Sequence, residues 1–212
     1  QKNRNYFMKI LLVPTIREIY SNQLEFCVDK NLIKFLRFSF GSKIKIKIYD
    51  GNILKKFNLI ILCGGNDLPN IVKKKSNYFR FSIDNKIYKF GLKKKIPIIG
   101  ICYGAQFIAF KNKFKIFKKK HVGNHVVFAK SNLNIFRNRK FSVNSFHNYV
   151  IKRTSKDTID ICEAEDKTIE LFKLKNKKVL GMMWHPERNS KFKNQDKKIF
   201  KSFYDIGNTF RR

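Results

Sequence analysis

The chain has 212 residues, 43% of them apolar, which suits one domain with a full hydrophobic core and argues against disorder. No apolar run approaches the roughly 18–20 residues of a membrane helix, and the polar start followed by a short apolar stretch is not a secretory signal. The formal charge is +32, from 47 Lys and Arg against 15 Asp and Glu. The lysines are scattered in short runs (73–75, 93–95, 118–120) beside abundant Phe, Ile and Asn, and there are only four alanines. That joint bias reads as compositional rather than as one basic face. A non-catalytic nucleic-acid binder therefore carries the lesser weight, since no zinc pairs, helix-turn-helix spacing or aromatic-rich strand motif accompany the charge. A positive surface would still draw in an anionic small substrate.

In chain order, residues 8–13 (MKILLV) read as a buried strand. Residues 1–7 read as an extension or linker, and 8–212 as one domain. Leu24, Val28, Leu32, Phe35 and Leu36 recur at helical spacing and predict a helix over 22–38. Residues 45–49 alternate and 59–63 are continuously apolar, so both read as strands; Gly64-Gly65 breaks the second. A helix over 84–95, a buried strand over 96–99 and a helix over 102–110 follow. Residues 111–150 are richer in strand and turn signals, and 158–162, 168–173 and 178–183 read as further strands. Ile199, Phe200, Phe203 and Ile206 mark a closing helix. Strands alternating with helices in the first half predict an α/β fold with a mostly parallel central sheet and helices on both faces. Ligands of such sheets bind at the carboxyl ends of the strands.

Four cysteines form no CxxC pair and no zinc spacing. Cys27, Cys63 and Cys162 read as buried small apolar residues, and a reducing, cytoplasmic location is the default expectation. Cys102 stands apart. Gly100-Ile101-Cys102-Tyr103-Gly104 sits between a strand and a helix, which is the cysteine form of a nucleophile elbow. A sharp turn there lifts the sulfur clear of the sheet. The helix amino end favours thiolate, and the first-turn amides lack helical partners and can bind an oxyanion. A later strand ends in Trp184-His185-Pro186-Glu187. A thiol nucleophile needs a base, and the base needs a group that sets its tautomer; His185 and Glu187 can supply both.

GICYGAQ and WHPE together resemble the class I glutamine amidotransferase superfamily, over nearly the whole chain from about Met8. The resemblance implies a flavodoxin-like three-layer sandwich and a catalytic triad of Cys102, His185 and Glu187. It adds Leu62-Cys63-Gly64-Gly65-Asn66-Asp67-Leu68, whose Gly65 amide would join that of Tyr103 in an oxyanion hole. It places Gln106 against the glutamyl group, and His147, Asn148 and Glu170 along the pocket. GGND, Val143-Asn144-Ser145-Phe146-His147-Asn148 and Ala164-Glu165-Asp166-Lys167-Thr168-Ile169-Glu170 look like the gamma-glutamyl hydrolase branch. Within it, a short chain with GGNDL and NSFHN is similar to the gamma-glutamyl-CDP-amidate hydrolases of capsule phosphoramidate synthesis. Two positions depart from the branch, which commonly has Arg where this chain has Tyr103 and a second His where it has Asn148.

The activity so implied is hydrolysis of a gamma-glutamyl amide through a thioester, on a small substrate that a nucleotide could carry. The alternatives are a gamma-glutamyl-gamma-aminobutyrate hydrolase, or a glutaminase subunit delivering ammonia to a synthase partner. The chemistry requires no metal and no cofactor, and no ligand spacing along the sequence suggests one.

Overall fold

The structure, a computed structural model, describes residues 7–20, 23–52, 56–130, 136, 138–152 and 157–209. Most of the segment read as an N-terminal extension, and residue 22 of the first expected helix, lie outside the described residues. Among the described residues no helix is long and apolar enough to cross a membrane.

Five strands form the parallel half of the sheet: β1 (Lys9–Val13), β4 (Lys45–Ile48), β5 (Leu59–Leu62), β6 (Ile98–Ile101) and β11 (Val179–Met182). They lie in the order β4-β1-β5-β6-β11, every neighbouring pair parallel. Strict alternation divides their side chains. Leu11, Val13, Ile60, Leu62 and Ile98 face a core shared with Ile83 and Ile87 of α2 (Lys75–Lys93) and Phe107 and Ile108 of α3 (Tyr103–Lys111). Ile10, Leu12, Leu59, Ile61, Ile99 and Ile101 face a second core. That core is built from Leu32, Phe35 and Leu36 of α1 (Lys30–Phe40) and Ile199 and Phe200 of α4 (Asn194–Thr209). Both faces of β5, β6 and β11 are covered, so these strands are apolar throughout, whereas the edge strand β4 alternates Lys with Ile.

The expectation of a mostly parallel sheet needs correction. Beyond β11 the same sheet continues with β10 (Ile169–Leu174), β8 (Lys140–Lys152), β7 (Lys115–Ala129) and β9 (Thr158–Ala164), and all these pairings are antiparallel. The reason lies in the connections: no helix separates β7 from β11 among the described residues, and without a crossover element consecutive strands can only fold back.

The helix expected over 22–38 is also corrected. β2 (Thr15–Tyr20) and β3 (Gln23–Cys27) form a separate antiparallel hairpin, and α1 begins only at Lys30. Asp29 sets that boundary, its Oδ1 accepting the amide of Asn31 at 2.8 Å, as an N-cap does. Phe26 packs on Phe79 and Tyr49, with ring centroids 6.4 Å apart in each pair. Tertiary packing thus overrides a helical spacing that Leu24 and Val28 satisfy by coincidence.

Candidate active site

Because β5, β6 and β11 are adjacent and parallel, the segments that leave their carboxyl ends meet. The Gly64-Gly65 turn follows β5, Cys102 follows β6, and His185 follows β11. Cys102 sits at φ 50 and ψ −104. Such a conformation costs a non-glycine residue about 1–3 kcal/mol and persists only where the surroundings enforce it. Two contacts enforce it here. The Cys102 amide donates to the Met182 carbonyl at 2.7 Å, and the Cys102 carbonyl accepts from Gln106 N at 3.0 Å to open α3. The flanking glycines are steric necessities. A Cβ at Gly100 would lie 2.4 Å from the Gly104 backbone, and one at Gly104 would lie 2.2 Å from the Leu62 carbonyl oxygen. The elbow therefore closes only if α3 can press directly on β5 and β6.

His185 Nδ1 pairs with Glu187 Oε1 at 2.6 Å, and both side chains are almost fully buried. The other side of the imidazole contacts the Cys102 thiol. Burial opposes a charge on this histidine, but Cys102 and Glu187 outweigh it and raise its pKa to about 9. That balance favours the imidazolium form of His185. Phe146 lies edge-on to His185, with centroids 5.8 Å apart.

The glycine turn is held by Asn66. Its Oδ1 accepts from Ile16 N at 2.9 Å, and its Nδ2 donates to the Ile16 carbonyl at 3.0 Å and to Asn77 Oδ1 at 3.1 Å. The β2–β3 hairpin thus fixes the backbone at Gly65, while Thr15 Oγ1 donates to the Gly64 carbonyl. The amides of Tyr103, Gly104 and Ala105 belong to the first turn of α3 and have no helical acceptor.

A cavity of about 290 Å³ opens over these groups, lined by Cys102, His185, Gly65, Gln106, His147 and Asn148 together with Asn66, Asp67, Phe146 and Arg188. Gln106 is oriented by its Nε2, which donates to the Tyr149 carbonyl at 3.0 Å. Burial above all pushes the His147 pKa down to about 4, so this imidazole is neutral. Glu170 does not line the cavity. It is fully buried one layer behind, with Oε1 3.8 Å from His147 Nε2. The Tyr103 side chain points away as well, its ring under the Arg80 guanidinium at 5.1 Å. The departure at Tyr103 therefore bears on helix packing, whereas that at Asn148 lies on the cavity wall.

Four lining residues carried no signal by themselves in the sequence: Asn66, Asp67, Phe146 and Arg188 all fall within or beside the motifs. Arg188 sits at the mouth, 5.0 Å over the Phe146 ring and 3.9 Å from Asp29.

Sheet order, elbow and the buried histidine–carboxylate pair define an α/β protein with a nucleophile-elbow cysteine site. The chain belongs to the class-I glutamine amidotransferase family, whose pattern matches residues 25–206. It is 39% identical over 140 residues to a gamma-glutamyl-CDP-amidate hydrolase of Campylobacter jejuni, a match spanning 64% of each chain. It is 31% identical over 166 residues to a glutamine-hydrolysing GMP synthase subunit of Picrophilus torridus, covering 74% of this chain and 80% of that one. A candidate GMP synthase subunit from Thermoplasma acidophilum has the same fold, with TM-score 0.72 at 22% identity over 97% of this chain and 96% of that one.

Proposed function

We propose that the chain hydrolyses a gamma-glutamyl amide through a cysteine thioester and releases glutamate. The observation that carries this reading is Cys102, held at φ 50 on the elbow and opposed by the 2.6 Å His185–Glu187 pair at the floor of the cavity. The Cys102 thiolate attacks the gamma carbonyl carbon. The Gly65 and Tyr103 amides receive the oxyanion charge, and the leaving amine takes its proton from His185. Water, deprotonated by His185, then cleaves the thioester. Glu187 holds the imidazole in the tautomer that can do both.

Gamma-glutamyl-CDP-amidate is the best single substrate, which would place the chain in capsule phosphoramidate synthesis. The 39% identical relative carries that name, and Arg188 offers a cation at the mouth of the cavity where a phosphate would emerge. The second reading is a glutaminase subunit that passes ammonia to a synthase, supported by the GMP synthase relative. A screen of gamma-glutamyl amides for glutamate release separates them. Turnover of the CDP-amidate without a partner supports the first. Turnover of glutamine alone, stimulated by a synthase, supports the second.

A further inference from the structure

Three of the chain's four histidines converge on one carboxylate outside the catalytic triad. His121 Nδ1 stands 3.1 Å, His125 Nε2 3.6 Å and His147 Nε2 3.8 Å from Glu170 Oε1. Nitrogen ligands at about 2.0–2.1 Å from a tetrahedral zinc lie about 3.3–3.4 Å from one another. The observed separations bracket that edge length. One donor atom each from His121, His125 and Glu170 fits within a 4.8 Å span.

The backbone is shaped to bring these groups together. Residues four apart on an extended strand are about 13 Å apart, yet the His121 and His125 rings on β7 are separated by only 4.9 Å. Gly123, at φ 95, lies between them. His147 on β8 is the direct cross-strand partner of His121. Glu170 enters from β10 and is fully buried.

The remaining polar atoms point the same way. His121 Nε2 faces Asp166 Oδ2 at 2.9 Å, and Asp166 is anchored by Thr168 and Lys119. That is the carboxylate–histidine pairing which orients a metal-binding imidazole and leaves its other nitrogen facing the ion. Among the described residues, both ring nitrogens of His125 and of His147, and Glu170 Oε2, are buried with no partner at normal hydrogen-bond distance. Buried polar atoms of this kind call for a partner, and an ion can supply one.

We propose that His121 Nδ1, His125 Nε2 and a Glu170 carboxylate oxygen form a site for a divalent transition ion of the zinc class, with His147 beside the open fourth position. The ion ties β7 to β10 directly behind the cavity wall that carries His147 and Asn148. His121 and His125 share β7, but Glu170 reaches them from β10 only once the sheet has formed.

The test uses the untagged, metal-stripped Cys102→Ser chain, which removes the thiol as a competing zinc ligand and makes the result independent of hydrolysis. Titration with Zn²⁺ alone is expected to give one ion per chain that survives gel filtration, and Co²⁺ should give the visible absorption of a four- or five-coordinate nitrogen–oxygen site. His125→Ala should weaken binding at least 100-fold, and Asp166→Asn 10- to 100-fold. Mapping of histidine carbethoxylation on the parent protein needs no variant to fold. There Zn²⁺ should protect His121 and His125. Retention of no zinc by the folded parent, or bound zinc that leaves both histidines as reactive as before, overturns the proposal.

Discussion

The Asn144 side chain holds the backbone of His185. Its Oδ1 accepts the His185 amide at 3.0 Å, while its Nδ2 donates to Asn189 Oδ1 at 3.2 Å. One buried amide thus links β8 to the turn that carries His185, Glu187 and Arg188. Asn144→Ala removes the acceptor and leaves a buried N–H unpaired, a loss of about 1–3 kcal/mol. Because small displacements of a positioned base can slow chemistry about 100-fold, kcat should fall roughly 10- to 100-fold with KM nearly unchanged. Steady-state kinetics with a gamma-glutamyl amide checks the split; an equal rise in KM would assign Asn144 to substrate binding instead.

The His185 pKa of about 9 sets a pH limit. Above it the imidazolium is lost, so kcat/KM should fall on an alkaline limb centred there. Glu187→Gln removes one of the groups that raise this pKa, and the limb should move to lower pH. The stability linkage has the matching sign. The folded value lies above the ordinary 6.5, so the pair's contribution is complete below 6.5 and is lost as pH rises through about 9. Urea unfolding at pH 6.5 and 9.5 measures it, with the larger stability expected at the lower pH.

Arg80 and Asp84 form a fully buried pair, Nε to Oδ2 at 2.7 Å, beneath the elbow. The guanidinium also donates to the carbonyls of Pro14 and Cys63, at the ends of β1 and β5. Removing one partner of such a pair strands a buried charge, at about 3–5 kcal/mol. Arg80→Met should therefore lower the melting temperature by on the order of 10 °C. Arg80→Met combined with Asp84→Leu should recover much of that loss in thermal denaturation.

Arg188 gives a test between substrates. If its cation meets a phosphate at the mouth of the cavity, Arg188→Ala should raise KM for gamma-glutamyl-CDP-amidate about 10-fold or more and change kcat little. KM for gamma-glutamyl-gamma-aminobutyrate should move much less. Equal effects on both would remove the nucleotide from the reading.

The parallel half of the fold and the segments around Cys102, Gly65 and His185 were legible because continuous apolar strands ended by glycine or His-Pro leave a local signature. The antiparallel half was not, since β7 and β8 are half-exposed, β7 is interrupted by a run of lysines, and their pairing is a long-range matter. Leu24 and Val28 misled because apolar spacing alone does not see the Asp29 cap. Asn66, Asn144 and Arg188 escaped for another reason. Polar residues declare a role only once the fold shows which backbone amide or ring they reach. The same holds for Glu170, whose surroundings of His121, His125 and His147 exist only after β7, β8 and β10 have paired.

The proposed role of Cys102 as the nucleophile of a gamma-glutamyl transfer to water has a direct chemical test. A glutamine analogue with a diazoketone in place of the amide reacts with the attacking thiol and marks it permanently. Peptide mapping by mass spectrometry is expected to find one adduct per chain, on Cys102, with glutamate release lost in step and no adduct in Cys102→Ala. Labelling of Cys27 or Cys63 instead, or undiminished glutamate release by Cys102→Ala, would contradict it.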